Sequence, residues 1–224
     1  DNFLHIFVLN VGQGDAILVQ SPNGENILID GGPDQKVLTE LADVMPFFNR
    51  TFDYVILTHP DKDHIAGLIS VLKRFPVKKI LFTGAYKKDY YSETFAKIIS
   101  EKNIPIIIAD EKSDITLDDG MLIDVLFPFD QKIGMEPNAN DSSIVFKIIF
   151  GKISVIFMGD AEALTEEKLL ANGVNIRADA VKIGHHGSKN GTTKSFLAAV
   201  NPTFSFISAG LNNGYHHPHP ELLK

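Results

Sequence analysis

The chain has 224 residues, a formal net charge of −7, and 44% hydrophobic against 22% charged residues, the balance of a globular protein rather than a disordered or low-complexity one. It contains no cysteine, which excludes a disulfide framework, a thiol nucleophile, an iron–sulfur cluster and any thiolate-bound zinc. The acidic balance argues against a protein whose main task is to coat nucleic acid, but not against a nuclease, because bound cations add charge that the formal sum omits. No apolar run reaches the roughly 18 residues of a membrane span, and the sequence as it stands shows no signal-peptide pattern. Opening on Asp1 and closing on Lys224 inside a helix-like segment from His219, it reads as a single domain, residues 1–224, excised from a longer protein.

In chain order, Phe3–Leu9, Ala16–Gln20 and Glu25–Asp30 read as strands parted by the turn signals Gly12-Gln13-Gly14 and Ser21-Pro22-Asn23-Gly24. A helix follows at Gln35–Val44, then a wholly apolar strand, Tyr54–Leu57, of the kind buried on both faces. After the loop Thr58–Asp63, Ile65, Leu68, Ile69 and Leu72 make one helical stripe. Strands are predicted at Lys79–Phe82 and Ile104–Ala109, around a helix at Ser92–Glu101. The second half gives strands at Leu122–Leu126, Ser143–Phe150 and Ser154–Met158, with a Gly151-Lys152 turn between the last two. It continues with a helix at Ala163–Ala171, a strand at Ala180–Ile183, a helix at Thr193–Val200 and a strand at Phe204–Ser208. Each half opens with strands and continues as strand–helix–strand, which fits one α/β domain of two sheets with helices outside.

Seven of the eight histidines fall in three short clusters, each in a loop after a predicted strand. The first is His59-Pro60-Asp61-Lys62-Asp63-His64. Residues two apart in an extended loop point the same way, so His59, Asp61 and Asp63 can face one cavity, with His64 turning in beside them. Two carboxylates so close repel each other unless a cation lies between them. Asp61 or Asp63 can also serve simply as the N-cap of the following helix. Asp160, after Gly159 at the end of an apolar strand, is placed to bridge two ions, although Gly-Asp is also an ordinary strand-to-helix turn. In Gly184-His185-His186-Gly187-Ser188, adjacent histidines do not readily bind one ion together, so one is read as a ligand and the other as facing substrate. The last cluster, His216-His217-Pro218-His219, lies near the C-terminal end. His5, on the first strand, is read as structural.

These motifs in this order resemble the metallo-β-lactamase superfamily, and within it the hydrolase domain of ComEC-like competence DNA-uptake channel proteins and their stand-alone relatives. The matching segments are Asn10–Ala16, Leu28–Gly32, His59–Gly67, Asn140–Ser143, Gly159-Asp160, His185–Ser188 and His217–Pro220. The resemblance implies an αββα sandwich of two mixed sheets flanked by helices, with metals at one edge. By position it implies His59 and Asp61 at a first metal, Asp63 and His64 at a second, Asp160 bridging, and His185 completing the second site. Asp30 is implied as a support of the metal loop rather than a ligand. The superfamily's motif has histidine where Asp61 stands, and its usual third histidine is missing, with Asn140-Asp141 in that region. Oxygen in place of imidazole makes the first site harder, which lowers the preference for zinc and brings in manganese.

The chemistry so implied is metal-assisted hydrolysis by one or two divalent ions, zinc or manganese. In this reading Asp63 lies in the catalytic machinery, His186 or His217 serves the leaving oxygen, and Ser188 with backbone amides near Gly187 holds the phosphoryl group. Without cysteine or a G-x-S-x-G motif nothing points to a covalent intermediate. The expected substrate is a phosphodiester, with single-stranded DNA as a candidate, and the expected setting is an extracytoplasmic domain anchored through a membrane channel segment outside this sequence. Lys62, Lys182, Lys189 and Lys194 could meet phosphates, though solvated lysines are the commoner case. The alternatives are hydrolysis of a β-lactam or lactone, and a non-catalytic metal-binding module of an envelope or DNA-uptake assembly.

Overall fold

The computed structural model describes residues 2–46, 48–131, 134–135 and 139–223. The first half carries β1 (His5–Val8), β2 (Ile17–Gln20), β3 (Asn26–Ile29), α1 (Lys36–Val44), β4 (Phe52–Leu57), α2 (Lys62–Arg74), β5 (Val77–Phe82), the short β6 (Ala85–Tyr86), α3 (Tyr90–Lys102) and β7 (Ile106–Ile108). The second carries β8 (Ile115–Thr116), β9 (Leu122–Phe127), β10 (Gly134–Met135), β11 (Val145–Phe150), β12 (Ile153–Phe157), α4 (Ala163–Ala171), β13 (Ala180–Lys182), α5 (Lys194–Val200) and β14 (Phe204–Phe206). Single 3₁₀ turns lie at Ala139–Ser142 and His185–Gly187.

Two six-stranded sheets result, ordered β1-β2-β3-β4-β5-β7 and β14-β13-β12-β11-β9-β8, and β6 pairs with β10 in a small third ladder. Each large sheet is antiparallel at one end and parallel at the other. In the first, β1, β2 and β3 form a meander, and β3, β4, β5 and β7 run parallel. In the second, β8, β9, β11 and β12 alternate in direction, and β12, β13 and β14 run parallel.

The apolar runs of the strands are explained by period two with both faces covered. Leu18, Leu28, Val55 and Leu57 face α1, α2 and α3, whereas Ile17, Ile27, Ile29 and Ile56 face the other sheet. Ile65, Leu68, Ile69 and Leu72 of α2 are buried in the first of these cores. On the far side, Leu169 of α4 and Phe196 and Val200 of α5 pack on Val145, Ile156 and Val181. The order of layers is therefore helix, sheet, sheet, helix, the αββα sandwich expected from the sequence.

The differences are local. Helix α3 starts at Tyr90, before the predicted Ser92, because the Asp89 side chain accepts from Ser92 N at 2.8 Å and caps it. Thr193 likewise caps α5 rather than beginning it. The segment Pro220–Leu223 forms turns, not a helix. The two-residue strands β6, β8 and β10 are too short to show any periodicity.

Candidate metal centre

The centre lies where the parallel strands of the two halves end, at the carboxyl ends of β3 and β4 on one side and of β12 and β13 on the other. On the first side, Asp30 follows β3 in a left-handed conformation, φ 56°. Its carboxylate accepts from Thr58 N at 2.8 Å and Thr58 Oγ1 at 2.7 Å, and it faces His64 Nδ1 at 2.8 Å. A histidine that donates through Nδ1 is left with a bare Nε2 to offer inward. The first turn of α2 brings His64 to this position because the helix presses against the Asp30 loop: a Cβ on Gly67 would lie 1.8 Å from Gly31 O. Only glycine permits that approach.

On the second side, Asp160 follows Gly159, itself at φ 53°, and its N–H donates to Ser143 Oγ at 3.1 Å. Four imidazoles converge on its Oδ2: His64 Nε2 at 3.3 Å, His186 Nε2 at 3.3 Å, His59 Nε2 at 3.8 Å and His185 Nε2 at 3.9 Å. Its Oδ1 turns instead toward the ammonium of Lys182, 3.9 Å away. His186 Nε2 also lies 3.3 Å from Asp63 Oδ2 and 3.3 Å from His64 Nε2, while its Nδ1 is held by Ser208 O at 2.9 Å.

Among the described residues four sets mix imidazole and carboxylate in the way that can hold a cation: His59, His64 and Asp160; Asp63, His64 and His186; Asp15, Asp160 and His186; and Asp15, Asp30 and His64, in which Asp30 is already bonded to Thr58. Each set offers atoms within 4.8 Å of one another. His59 Nε2, Asp160 Oδ1 and Asp15 Oδ1 are buried and have no hydrogen-bond partner. Buried polar atoms are normally satisfied, so these orphaned lone pairs fit a divalent ion.

The electrostatics agree. Burial alone would lower His64 and His186, but Asp160 with Asp30, and Asp160 with Asp15, hold them well above the usual histidine range. Burial would raise Asp63, yet the hydrogen bond from His186 and the charge of His64 bring it to about 2. His59 is pushed well down by burial and by His64, so it is a neutral donor ready to ligate.

Several sequence-predicted residues stand elsewhere. Asp61 is the N-cap residue of α2, makes no capping bond and pairs with Lys87. The histidine pair is arranged by left-handed backbone at both positions, φ 43° at His185 and 52° at His186. It sends His186 into the cluster and leaves His185 at its edge, with Nε2 3.9 Å from Asp160 Oδ2 and Nδ1 2.5 Å from Glu162 Oε1. His217 stands on the rim, stacked on Tyr215 with ring centroids 5.7 Å apart and 5.6 Å from the ring of His185. Ser188 Oγ is buried without a partner. The amides of Gly187 and Ser188 are spent on Gly184 O and His185 O, so they do not form an anion hole.

Two residues of the centre have a part that the sequence reading did not assign: Asp15 lies in the matching segment Asn10–Ala16 with no role given, and Lys182 is read there as a phosphate contact or a solvated lysine. Asp15 and Lys182 form an ion pair at 1% exposure each, and Lys182 also donates to Gly159 O at 2.8 Å. Lys182 is therefore neither solvated nor open to phosphate. In a strand, the single charge of Lys182 amid apolar neighbours was the available signal, and for Asp15 it was its place in the matching segment Asn10–Ala16.

A profile of the metallo-β-lactamase superfamily matches residues 9–210. The chain belongs to the metallo-β-lactamase superfamily. Among relatives, ComE operon protein 3 of Bacillus subtilis is 30% identical over 97% of this chain and 30% of its own length. Competence protein ComA of Neisseria gonorrhoeae is 28% identical over 97% of this chain and 29% of its own. The chain thus spans less than a third of these superfamily relatives. Of solved structures, the metallo-β-lactamase fold protein YhfI of Bacillus subtilis aligns with a TM-score of 0.63 at 18% identity, covering 95% of this chain and 88% of that one. A diphosphatase of the PhnP family aligns with a TM-score of 0.55 at 15% identity, covering 93% and 76%. At such identities the likeness is one of fold. No helix among the described residues is long and apolar enough to cross a membrane.

Proposed function

We propose that this chain is a metal-dependent phosphodiesterase that cleaves a nucleic-acid strand in the setting of DNA uptake. The observation that carries the reading is the convergence of His59, His64 and His186 on Asp160 Oδ2, with Asp63 alongside. These five residues are the proposed ligands for one or two ions, zinc or manganese. Asp61, held by Lys87, stands outside that set, and His185, 26% exposed with Nε2 3.9 Å from Asp160 Oδ2, stands at its edge. When bound, a divalent ion lowers the pKa of a water to make a nucleophile and polarises the substrate oxygen. Three imidazoles and two carboxylates make a mixed set that suits zinc as well as manganese, and the competence names of the relatives supply the DNA-uptake setting.

The chain's own groups divide the remaining work. Asp63, whose side chain is 32% exposed at the mouth of the cluster and ionised at neutral pH, accepts a hydrogen bond from the attacking water. His217 and the Ser188 hydroxyl flank the leaving side. Asp30 fixes His64, and Ser208 O fixes His186, so neither ring turns when substrate arrives. By the same resemblance, the domain works outside the cytoplasm on a larger membrane-anchored protein.

The test is turnover of bis-p-nitrophenyl phosphate against nitrocefin, each in zinc and in manganese, with Asp63→Ala as the control. Diester hydrolysis lost in Asp63→Ala is expected. Nitrocefin turnover without diester turnover, or full activity in Asp63→Ala, overturns the reading.

A further inference from the structure

The loop that carries His59 has a second face. Pro60, between His59 and Asp61, lines an apolar cavity of about 530 Å³ together with Ile65, Phe82, Phe95 and Ile99. Among the described residues no charged side chain lines it. Tyr86 of β6 also borders the cavity and is 49% exposed, so it marks the opening. This opening is tied to the metal loop by the ion pair of Lys87 with Asp61. Around it lie the exposed Lys62 and Lys88, and Tyr90, 67% exposed. Lys62 Nζ sits 5.8 Å over the ring of Tyr91, which meets Tyr90 edge to face at 5.5 Å.

Four of the five tyrosines of the chain are 86, 90, 91 and 215; three flank this opening and the fourth stacks on His217 across the centre. Exposed rings interleaved with lysines, beside a centre that would hold a phosphate, have the composition of a surface that binds an unpaired strand. An uncharged, largely apolar cavity suits a flat neutral ring and offers few groups for reading base identity. The charge of the ligand would be met outside it, by Lys62, Lys88 and the metal centre.

We propose that this cavity receives a base of the nucleotide flanking the scissile phosphate, stacked against Tyr86, so that the protein takes single strands and refuses duplex. The proposal rests on the phosphodiesterase reading for its phosphate. Its reason for strand choice is steric: in a duplex the base faces are already stacked and cannot enter.

The experiment measures fluorescence anisotropy of a labelled short oligothymidylate and of a duplex of equal length, at low salt with calcium filling the metal centre and strand length checked afterwards by gel. The variants are Tyr86→Ala, which removes the ring, and Ala96→Phe, which fills the cavity from its exposed wall on α3. Neither touches the metal cluster, and thermal midpoints establish that both fold. Expected are single-strand binding at least about tenfold tighter than duplex, and a loss of about tenfold in each variant, the size of one stacked base. No binding of single strand by the parent at micromolar protein, equal binding of duplex, or unchanged binding in both variants overturns the proposal. Turnover of bis-p-nitrophenyl phosphate by the parent separates the two readings. With diester turnover intact, such a result removes the cavity's role alone. Without it, the phosphodiesterase reading falls, and the anisotropy titration still decides the cavity.

Discussion

The two halves of the molecule bring their polar residues to the centre by the same construction and leave them in opposite states. Each half is a meander followed by parallel strands, and each delivers a carboxylate from the end of one parallel strand and a histidine from beyond its neighbour. In the first half the carboxylate is Asp30, and its acceptors are met by Thr58 and His64. In the second it is Asp160, whose Oδ1 has no hydrogen bond and whose Oδ2 faces four imidazoles. A satisfied buried carboxylate can only hold its neighbours in place, whereas an unsatisfied one is costly until something completes it. The first half is therefore scaffold at this point and the second is receptor. One construction does both because the partners differ, not the strands.

The largest effect should come from the receptor side. Asp160→Ala is expected to cost more than about a hundredfold in diester turnover, since even supporting residues of metal ligands cost ten- to a hundredfold. Metal content of the dialysed protein should fall with it. A variant that keeps its metal and its rate would place the receptor elsewhere.

Next in size is Lys182, the cation that the second half has and the first lacks. Its ammonium outweighs the burial that would lower it, through Asp15 and then Asp160. Lys182→Met leaves buried Asp15 with His186, 3.4 Å away, as its remaining charged partner, which is expected to destabilise the fold by about 3 kcal/mol in urea unfolding, the low end for a broken buried pair. Adding Asp15→Asn should recover part of that loss. If the single variant unfolds at the parent midpoint, the pair is not what balances the second half.

A carboxyl away from the centre gives the comparison a pH axis. Glu166 of α4 is buried and accepts from Thr193 N at 2.8 Å, which anchors the start of α5 in the second half. Burial pushes it up to about 7 from 4.5, against the hydrogen bonds from Thr193 and Thr192. The folded state thus binds this proton more tightly than the unfolded chain. Its contribution is complete below pH 4.5 and is lost as pH rises through 7, a change of up to about 3 kcal/mol. Thermal midpoints of Glu166→Gln against the parent should converge at acid pH and separate above neutrality, the variant being the more stable. A constant difference at all pH values would refute this linkage.

The scaffold side predicts a smaller loss with a specific cause. In Asp30→Asn the new amide N–H₂ must face Thr58 or His64, and facing His64 Nδ1 it makes that nitrogen an acceptor. The proton then moves to Nε2, the atom offered inward. Metal affinity by calorimetry is expected to drop about ten- to a hundredfold, with the fold intact by circular dichroism. Equal affinity would mean that His64 is not steered by Asp30.

The fold was largely legible because period-two and period-3.6 apolar patterns are set by burial, and Tyr54–Leu57 and the Ile65–Leu72 stripe are buried as their patterns require. The motif residues His59, Asp63, His64 and Asp160 were legible as a group, since acids and imidazoles packed into strand-end loops have few structural uses. What failed to show was partnership across the chain. Asp61 looks like any motif member until Lys87, 26 residues on, claims it. Asp15 pairs with Lys182 across nearly the whole sequence, and no local pattern encodes such a contact.

The smallest predicted effect tests the place where sequence was least able to decide. Histidines 185 and 186 are equivalent as letters, and alignment to the superfamily motif favours His185 as ligand. Backbone at positive φ in both residues turns His186 inward, at 1% exposure, and leaves His185 beside Glu162 with its side chain 26% exposed. His185→Ala should then change metal affinity by no more than about threefold, the scale of a lost rim contact in high dielectric, whereas His186→Ala should lose it by at least about a hundredfold. Paired calorimetric titrations with manganese and zinc compare the two directly. The reverse order would mean that the turn at His185–Gly187 rearranges when the ion binds, and the receptor half would then be receptive in its backbone as well as in its side chains.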